Sequence, residues 1–482
     1  MSAPENGVPL KATKIKAFGP SNSTGKASRS VGGSGKRVAV IGAGAAGICQ
    51  AKYLLAEGVD VVVYELGSFV GGQWVYENDS GKSPAYKTLH INSPKSLTRF
   101  EDFPFPEACQ MFPSHEDMAE YLESYARRFG VYDRIRFKSQ VASVEPASDL
   151  REDAPRWRVT LADGTSEEYD AVVCATGHLT HPKHADELRN AFAGDYMHSF
   201  SYRDPAEFSH KRVCVVGVGN SAMDIASDIC VTADRTVIVA RTGVLVVPKL
   251  LMGVCVTDYL VHLYDPWVPA KVRKWVGGFV TWLAHGKMDQ YGFKPVTKAT
   301  HGTTSATLIT DIKYNRVTVK QGIDRIEGKK IYFVDGTVEE FDTLIGATGY
   351  LVDLPYLSDE IITLDGSNKL ELYKKMAIPG KPGLWFIGML NSTTAQNSIF
   401  EHQAKWIKEF ILDRAVLPSE SEMHADIEAK RRYIEGKYVA TSRHALEEEH
   451  GTYFVELRKS LRDAKRRAGG PVRRVTTLRR SA

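Results

Sequence analysis

The chain has 482 residues, more than one hydrophobic core usually serves, so two or three domains are expected. With 43% hydrophobic and 25% charged residues it reads as soluble and globular, and six scattered cysteines without a C-x-x-C pair argue against a disulfide framework or a zinc site. The net charge of +4 is uneven: the 36 residues before Arg37 carry +5 and the 27 from Glu456 carry +8, leaving the body at −9. Such basic ends read as solvated tails, with no nucleic-acid partner called for.

Residues 1–36 are Gly/Ser-rich without an apolar signal region, so a disordered N-terminal tail is expected. An apolar run at 38–41 then leads into Gly42, Gly44 and Gly47, followed by helical spacing, a stop at Gly58, a second apolar run at 61–64, and Glu65. This is a complete strand-helix-strand unit for a dinucleotide. Gly42 permits the tight turn, Gly44 lets the backbone approach a pyrophosphate, and Gly47 lets helix and strand pack closely with the helix N-terminus facing the anion. Glu65 can accept both hydroxyl protons of an adenosine ribose, which favours FAD or NAD over a 2′-phosphorylated cofactor.

Three histidines, His178, His181 and His184, follow in a short segment and read as solvated loop residues, with no metal expected. The stretch FAGDYMHSFSY at 192–202 fits neither helix nor strand periodicity. In it Gly194 is expected to supply an unusual backbone conformation, the aromatics to pin a crossing, and His198 to act as a hinge hydrogen-bonder. A second unit begins eleven residues on: a strand, Gly217-x-Gly219-x-x-Ala222, a helix, and a strand whose end carries Arg241 where the first unit has an acid. A guanidinium there can pair with a 2′-phosphate, so this unit should prefer NADP(H). Residues 244–300 are rich in Leu, Val and Trp with interspersed Lys and Arg, and read as a helical insertion.

Residues 161–178 and 333–350 match at nine of eighteen positions, each opening on Asp-Gly and ending on Ala-Thr-Gly, at 121 residues from Gly42 and 118 from Gly217. The architecture is therefore duplicated. The expected fold is α/β, two Rossmann-like domains with the NADP domain inserted into the FAD domain. FAD-domain residues are 37–205 and 346–455, NADP-domain residues 206–345 with the insertion 244–300, and 456–482 form the basic C-terminal tail. No stretch of roughly 18 uninterrupted apolar residues is present, so nothing should span a bilayer, and the cytoplasm is the default compartment.

Two such domains point to a flavoenzyme taking hydride from NADPH. Cys49 and Cys109 are sixty residues apart, which disfavours a disulfide reductase; an NADPH oxidase or a redox-sensing binding protein stays open. At Phe192, Gly194, His198 and Tyr202 the chain resembles the class B flavin monooxygenases, within them the flavin-containing monooxygenase (FMO) family. Further matches are Gly71-Gly72-Gln73-Trp74, residues 86–106 (YKTLHINSPKSLTRFEDFPFP), 219–226 (GNSAMDIA) and 347–350 (ATGY). Tyr202 favours this branch over the Baeyer–Villiger enzymes, which usually carry Trp there. The resemblance covers about 37–414.

It implies that NADPH reduces FAD, that O2 gives a C4a-hydroperoxide, and that this oxygenates the nitrogen or sulfur of a small amine or sulfide. Baeyer–Villiger oxygenation of a ketone is the alternative. Asn92 aligns with the family's active-site asparagine and is the candidate catalytic residue. Ala45, Ala46, Gly72, Gln73, Trp74, Ile91, Thr176 and Thr348 join the glycines and Glu65 as cofactor contacts, and Gly219, Asn220, Ser221 and Arg241 would hold NADP. A homodimer is expected. The insertion contacts membrane or lines the substrate route in some members, so peripheral membrane contact is a further expectation.

Overall fold

The computed structural model describes residues 35–147, 155–265, 267–296, 302–392, 395–437 and 444–469. Its frame is two five-stranded, all-parallel sheets. The first runs Leu384–Phe386, Ala171–Cys174, Arg37–Ile41, Asp60–Tyr64, Ile135–Arg136. The second runs Val317–Lys320, Arg235–Val239, Arg212–Val216, Thr343–Gly346, Asp195–His198. Their central strands are buried almost end to end because both faces are covered, which is why they read as unbroken apolar runs without alternation.

The duplication extends beyond the matched segments. In each half a three-stranded antiparallel meander precedes the strand carrying Ala-Thr-Gly: Val141–Pro146, Trp157–Leu161 and Ser166–Tyr169 in the first, Ile323–Glu327, Lys330–Phe333 and Val338–Glu340 in the second. Both Asp-Gly turns close identically. Gly164 and Gly336 have φ of 86° and 81°, their N–H groups donate to Leu161 and Phe333 carbonyls, and the Asp163 and Asp335 carboxylates accept from the N–H of Thr165 and Thr337.

Leu384–Phe386 returns to the first sheet, so the chain leaves that layer for the second and comes back. The strand Asp195–His198 already belongs to the second sheet, before the expected boundary after residue 205. Within 244–300 the described residues form the helix Ala270–His285 and short elements, with Val246–Pro248 pairing to Thr303–Ser305.

The C-terminus departs from the sequence reading. Residues 470–482 lie outside the described residues, as do 1–34, where the N-terminal tail was expected. From Glu456 to Arg467, however, the chain is no solvated tail: it continues the helix His450–Arg467. Tyr453, Leu457 and Ala464 are buried in the first half's core, and Ser460 accepts a hydrogen bond from the Trp406 indole at 3.0 Å. The apolar residues recur at helical spacing, so one stripe packs while the basic residues face outward. Lys465 pairs with Glu409 at 2.5 Å.

Candidate functional site

The two glycine turns are built alike. Gly42 has φ 105° and Gly217 φ 138°; a Cβ on Gly42 would lie 2.7 Å from the Ala175 carbonyl oxygen, and one on Gly217 2.4 Å from that of Ala347. Each first glycine thus seats on the Ala of its own Ala-Thr-Gly segment, which explains why these distant motifs recur together. A Cβ on Gly47 would fall 1.9 Å from the Gly42 carbonyl oxygen, so close packing requires glycine there. The helix Ala45–Leu55 starts at Gly44 without a side-chain cap, leaving its first amides to face an anion. The Gly71-Gly72 loop folds over this turn: Gly71 N–H donates to Ala43 carbonyl at 3.1 Å, and Gly72 has φ 58°.

Glu65 is buried, its oxygens accepting from Ala43 N–H at 2.7 Å and Gly67 N–H at 2.8 Å. Burial raises its pKa against those amides. Two amide bonds leave lone pairs on the carboxylate for further donors such as ribose hydroxyls. In the second unit Gly217 N–H bonds the Val239 carbonyl as Gly42 N–H bonds that of Tyr64. Ala240 therefore takes the place of Glu65, and Arg241 follows one residue later, exposed. The acid is absent and a cation stands beside its position, an arrangement fit for a phosphorylated ribose.

A cavity of about 1190 Å³ opens between the two halves. It is lined from the first half by Gly42, Gly44, Ala45, Ala46, Glu65, Gly72, Gln73, Trp74, Ile91, Asn92 and Thr176, and from the second by Asn220 and Ser221. Gly47, Gly217, Gly219, Arg241 and Thr348 are not on its wall; the Thr348 hydroxyl donates instead to the Lys183 carbonyl. The neighbouring Tyr350 does line it, and so does Ser199 of the 192–202 stretch. The volume, the glycine cradles and the freely facing amides fit FAD and NADPH together.

Asn92 sits in a segment clamped from several sides. Ile91 N–H donates to Pro113 carbonyl at 2.9 Å, the Ser93 and Thr98 hydroxyls bond at 2.8 Å, and Lys95 Nζ donates to the carbonyls of Pro106, Glu107 and Cys109. The "NSPK" pattern is thus a loop stapled by its own lysine. The Asn92 side chain lines the cavity, and its Oδ1 is buried without a partner. An unpaired buried acceptor costs about 1–3 kcal/mol, which sets Asn92 apart within this segment.

The 192–202 stretch is the seam between the halves. Tyr202 is fully buried and its hydroxyl donates to Asp228 at 2.5 Å; Lys87 N–H donates to the Arg203 carbonyl. His198 is 2% exposed, accepts from Phe200 N–H at Nδ1 at 3.0 Å, and burial lowers its pKa to about 4, so it is neutral with the proton on Nε2. It is absent from the cavity wall. Gly194 corrects the expectation made for it. Its φ lies outside the left-handed region; a Cβ would instead meet the Asp342 carbonyl oxygen at 2.6 Å and the Phe192 ring at 2.7 Å, so space, not conformation, demands glycine.

Sequence reasoning also missed His178, read as a solvated loop residue. It lines the cavity, with its ring nitrogens 3.1 Å from the Gly388 carbonyl and 3.0 Å from Asn391 Oδ1, and burial lowers its pKa. Asp224 and Tyr86 stood inside quoted motifs, yet no local pattern pointed at their carboxylate-to-hydroxyl contact across 138 residues.

The family model described as flavin-binding monooxygenase-like matches residues 35–466. Flavin-containing monooxygenase 5 of Oryctolagus cuniculus is 32% identical over 440 residues, 88% of this chain and 82% of that protein. Dimethylaniline monooxygenase [N-oxide-forming] 2 of Cavia porcellus is 31% identical over 411 residues, 81% and 76% of the two chains. Among solved structures, S-allyl-L-cysteine S-oxygenase from Allium sativum superposes with a TM-score of 0.66 at 26% identity, covering 91% of this chain and 90% of that one. With two parallel-sheet halves, paired glycine cradles and this match along almost its whole described length, the chain belongs to the flavin-binding monooxygenase-like family and is an FAD- and NADPH-dependent monooxygenase.

Proposed function

We propose that the enzyme oxygenates a soft nucleophile, the nitrogen of a small amine or the sulfur of a thioether, through a C4a-hydroperoxyflavin. The observation that carries this reading is Asn92 on the wall of a cavity that both nucleotide units share, its Oδ1 buried without a partner. Relatives named for N-oxide formation and S-oxygenation favour the two heteroatoms.

FAD and NADPH, when bound, supply hydride transfer and oxygen activation. The chain's own part is to bind, orient and keep water out. The amides at Ala45 and Ala46 hold a pyrophosphate at the helix N-terminus, and Glu65 takes ribose hydroxyls with its free lone pairs. Asn220 and Ser221 begin the second helix and hold NADP, with Arg241 at the 2′-phosphate. Asn92 fixes the reacting end by its amide. No strong acid or base is needed, because the oxygen transferred is electrophilic; protection from water is the main task. Leu245, Val247 and Leu260 of the insertion line the cavity on the second half's side.

The deciding experiment is a panel of amines, sulfides and ketones, with oxygenated product measured against NADPH consumed. One N- or S-oxide per NADPH is expected. An ester from a ketone at the rate of NADPH use would replace this reading by Baeyer–Villiger chemistry, and stoichiometric H2O2 with every compound would leave only an oxidase or sensor.

We also place the enzyme in the cytoplasm with its insertion against a membrane. Along the helix Ala270–His285, Trp275, Phe279 and Trp282 form one exposed stripe, with the Trp275 and Phe279 rings stacked and Trp282 tilted against Phe279, and Trp267 is 78% exposed. Exposed aromatics at this spacing suit an interfacial helix. Among the described residues no helix is long and apolar enough to cross a bilayer. Replacing Trp275 and Phe279 by Ser should abolish sedimentation with anionic liposomes; retained sedimentation would remove the assignment.

A further inference from the structure

Gly388 follows the strand Leu384–Phe386 and lies on the cavity wall with φ 79°. A Cβ there would fall 3.3 Å from that of Ala46, at the start of the first nucleotide helix, and 3.2 Å from the Phe400 ring. Its N–H and its carbonyl are both taken up by side chains. The carbonyl stands 3.1 Å from His178 Nδ1; a carbonyl only accepts, so Nδ1 carries a proton, while Nε2 meets the Asn391 side chain at 3.0 Å. The Gly388 N–H donates to Gln403 Oε1 at 2.9 Å.

From Gln403 the hydrogen bonds run on to the C-terminal helix. Gln403 Nε2 donates to the Tyr453 hydroxyl at 2.9 Å, and that hydroxyl donates to the Lys374 carbonyl at 2.7 Å. Every link has a fixed direction. With Oε1 on the Gly388 N–H, only Nε2 is left for Tyr453, whose single proton is committed to Lys374. Gln403 is 0% exposed and Tyr453 1%, so bulk water has no access to replace a missing member. His178, by contrast, is partly exposed and lines the cavity.

We propose that His178 on the cavity side, and Gln403 with Tyr453 on the core side, are positioning residues that clamp Gly388, so that the C-terminal helix fixes the cavity wall and with it the coupling of NADPH use to oxygenation. The inference rests on the monooxygenase reading above. A glycine has no side chain to hold it and the widest backbone freedom, so the two side-chain bonds supply the restraint that its neighbours Ala46 and Phe400 leave no room for a Cβ to give. Ile387 and Asn391 line the cavity on either side of it, and Gln396 and Asn397, also on the wall, begin the helix Gln396–Ile411 that carries Gln403. A shift of this wall admits water beside the bound cofactors, and water there diverts the oxygen to H2O2. With both ring nitrogens engaged, His178 acts as a strut and not as an acid or base.

The test uses FAD-loaded wild type, His178→Leu, His178→Asn and Tyr453→Phe. Two readouts are taken: the absorbance spectrum of the resting oxidised flavin, and oxygenated product and H2O2 per NADPH with a thioether that wild type oxygenates. His178→Leu should alter the flavin spectrum and lower the product ratio by roughly two- to tenfold, the factor carried by one hydrogen bond, with H2O2 making up the loss. His178→Asn, whose amide reaches the place of Nδ1 and can still donate to Gly388, should recover most of both. Tyr453 is absent from the cavity wall, yet Tyr453→Phe should move both readouts in the same direction at full FAD content, which a residue serving stability alone would not do. His178→Asn behaving no better than His178→Leu, or Tyr453→Phe keeping the wild-type spectrum and ratio, overturns the proposal. Should Tyr453→Phe not retain FAD, Gln403→Met takes its place with the same expected and the same refuting result. H2O2 alone from wild type with every compound would strike the monooxygenase substrate reading, and the flavin spectra of the variants would then decide the clamp by themselves.

Discussion

Acidification should destabilise this protein through His198, by an amount the structure allows to be worked out. The imidazole is 2% exposed, packed between His184 and Tyr350 with centroids 5.4 Å from each, and it spends Nδ1 on the Phe200 N–H. Its pKa falls from 6.5 to about 4, chiefly from burial, with the neighbouring His184 adding to the drop. Between those values the unfolded chain holds a proton that the folded chain refuses, so stability is lost as pH falls through that window and is regained on returning to neutrality. From pH 7 to pH 5 the difference amounts to about 2 kcal/mol. At a specific unfolding entropy of about 2.1 cal/mol/K per residue, a chain of this length loses roughly 2 °C of Tm to it.

Asn at position 198 keeps an acceptor for the Phe200 amide but cannot take the proton. The assay is thermal unfolding of FAD-loaded wild type and His198→Asn at both pH values. The variant starts lower, having lost ring packing, yet its drop between pH 7 and pH 5 should be smaller by that amount. His450, also lowered to about 4, contributes to both proteins alike and cancels in the difference. Equal drops in the two proteins would show that His198 titrates normally and that the seam around it admits water.

Three further outcomes follow from the same structure. Arg241→Ala should weaken NADPH by about 1.5–3 kcal/mol and NADH far less, read by cofactor titration; equal losses would remove the 2′-phosphate role. Gly217→Ala places a Cβ 2.4 Å from the Ala347 carbonyl oxygen at φ 138°, so NADPH binding should collapse while flavin content stays at wild type; flavin loss in parallel would mean the two units are not separable. Deleting residues from 456 onward removes the buried Leu457 and Ala464 and strips the Trp406 indole of its Ser460 acceptor, which together are worth about 3–5 kcal/mol. A matching fall in Tm is expected, and an unchanged Tm would return this segment to the status of a tail.

The legible part of the fold was the part fixed by backbone demands. Gly42 and Gly217 were readable because positive φ together with sub-van-der-Waals clearances admits almost nothing but glycine, and the two Asp-Gly turns because positive φ alone favours it there. Glu65 and Arg241 were singled out by the rule that the residue after the second strand of such a unit lies at the ribose edge, yet the hydrogen-bond register puts Ala240, with Arg241 one residue on, in the place equivalent to Glu65. The C-terminal helix was misread because charge count was weighed ahead of the stripe formed by Tyr453, Leu457 and Ala464. For Gly194 the residue was recognised and its reason was not, since the Asp342 carbonyl that crowds it lies far along the chain.

The sequence by itself determined two duplicated nucleotide units, the cofactors FAD and NADPH and the family, because each rests on short contiguous motifs and on local conformational rules. Only the tertiary structure decided what stands around the reacting end: Tyr86 and Asp224, from different halves, meet at 3.4 Å, and His178 turns inward onto Gly388 and Asn391. Such contacts are set by how the two halves dock, a long-range packing outcome that leaves no period or spacing in the chain.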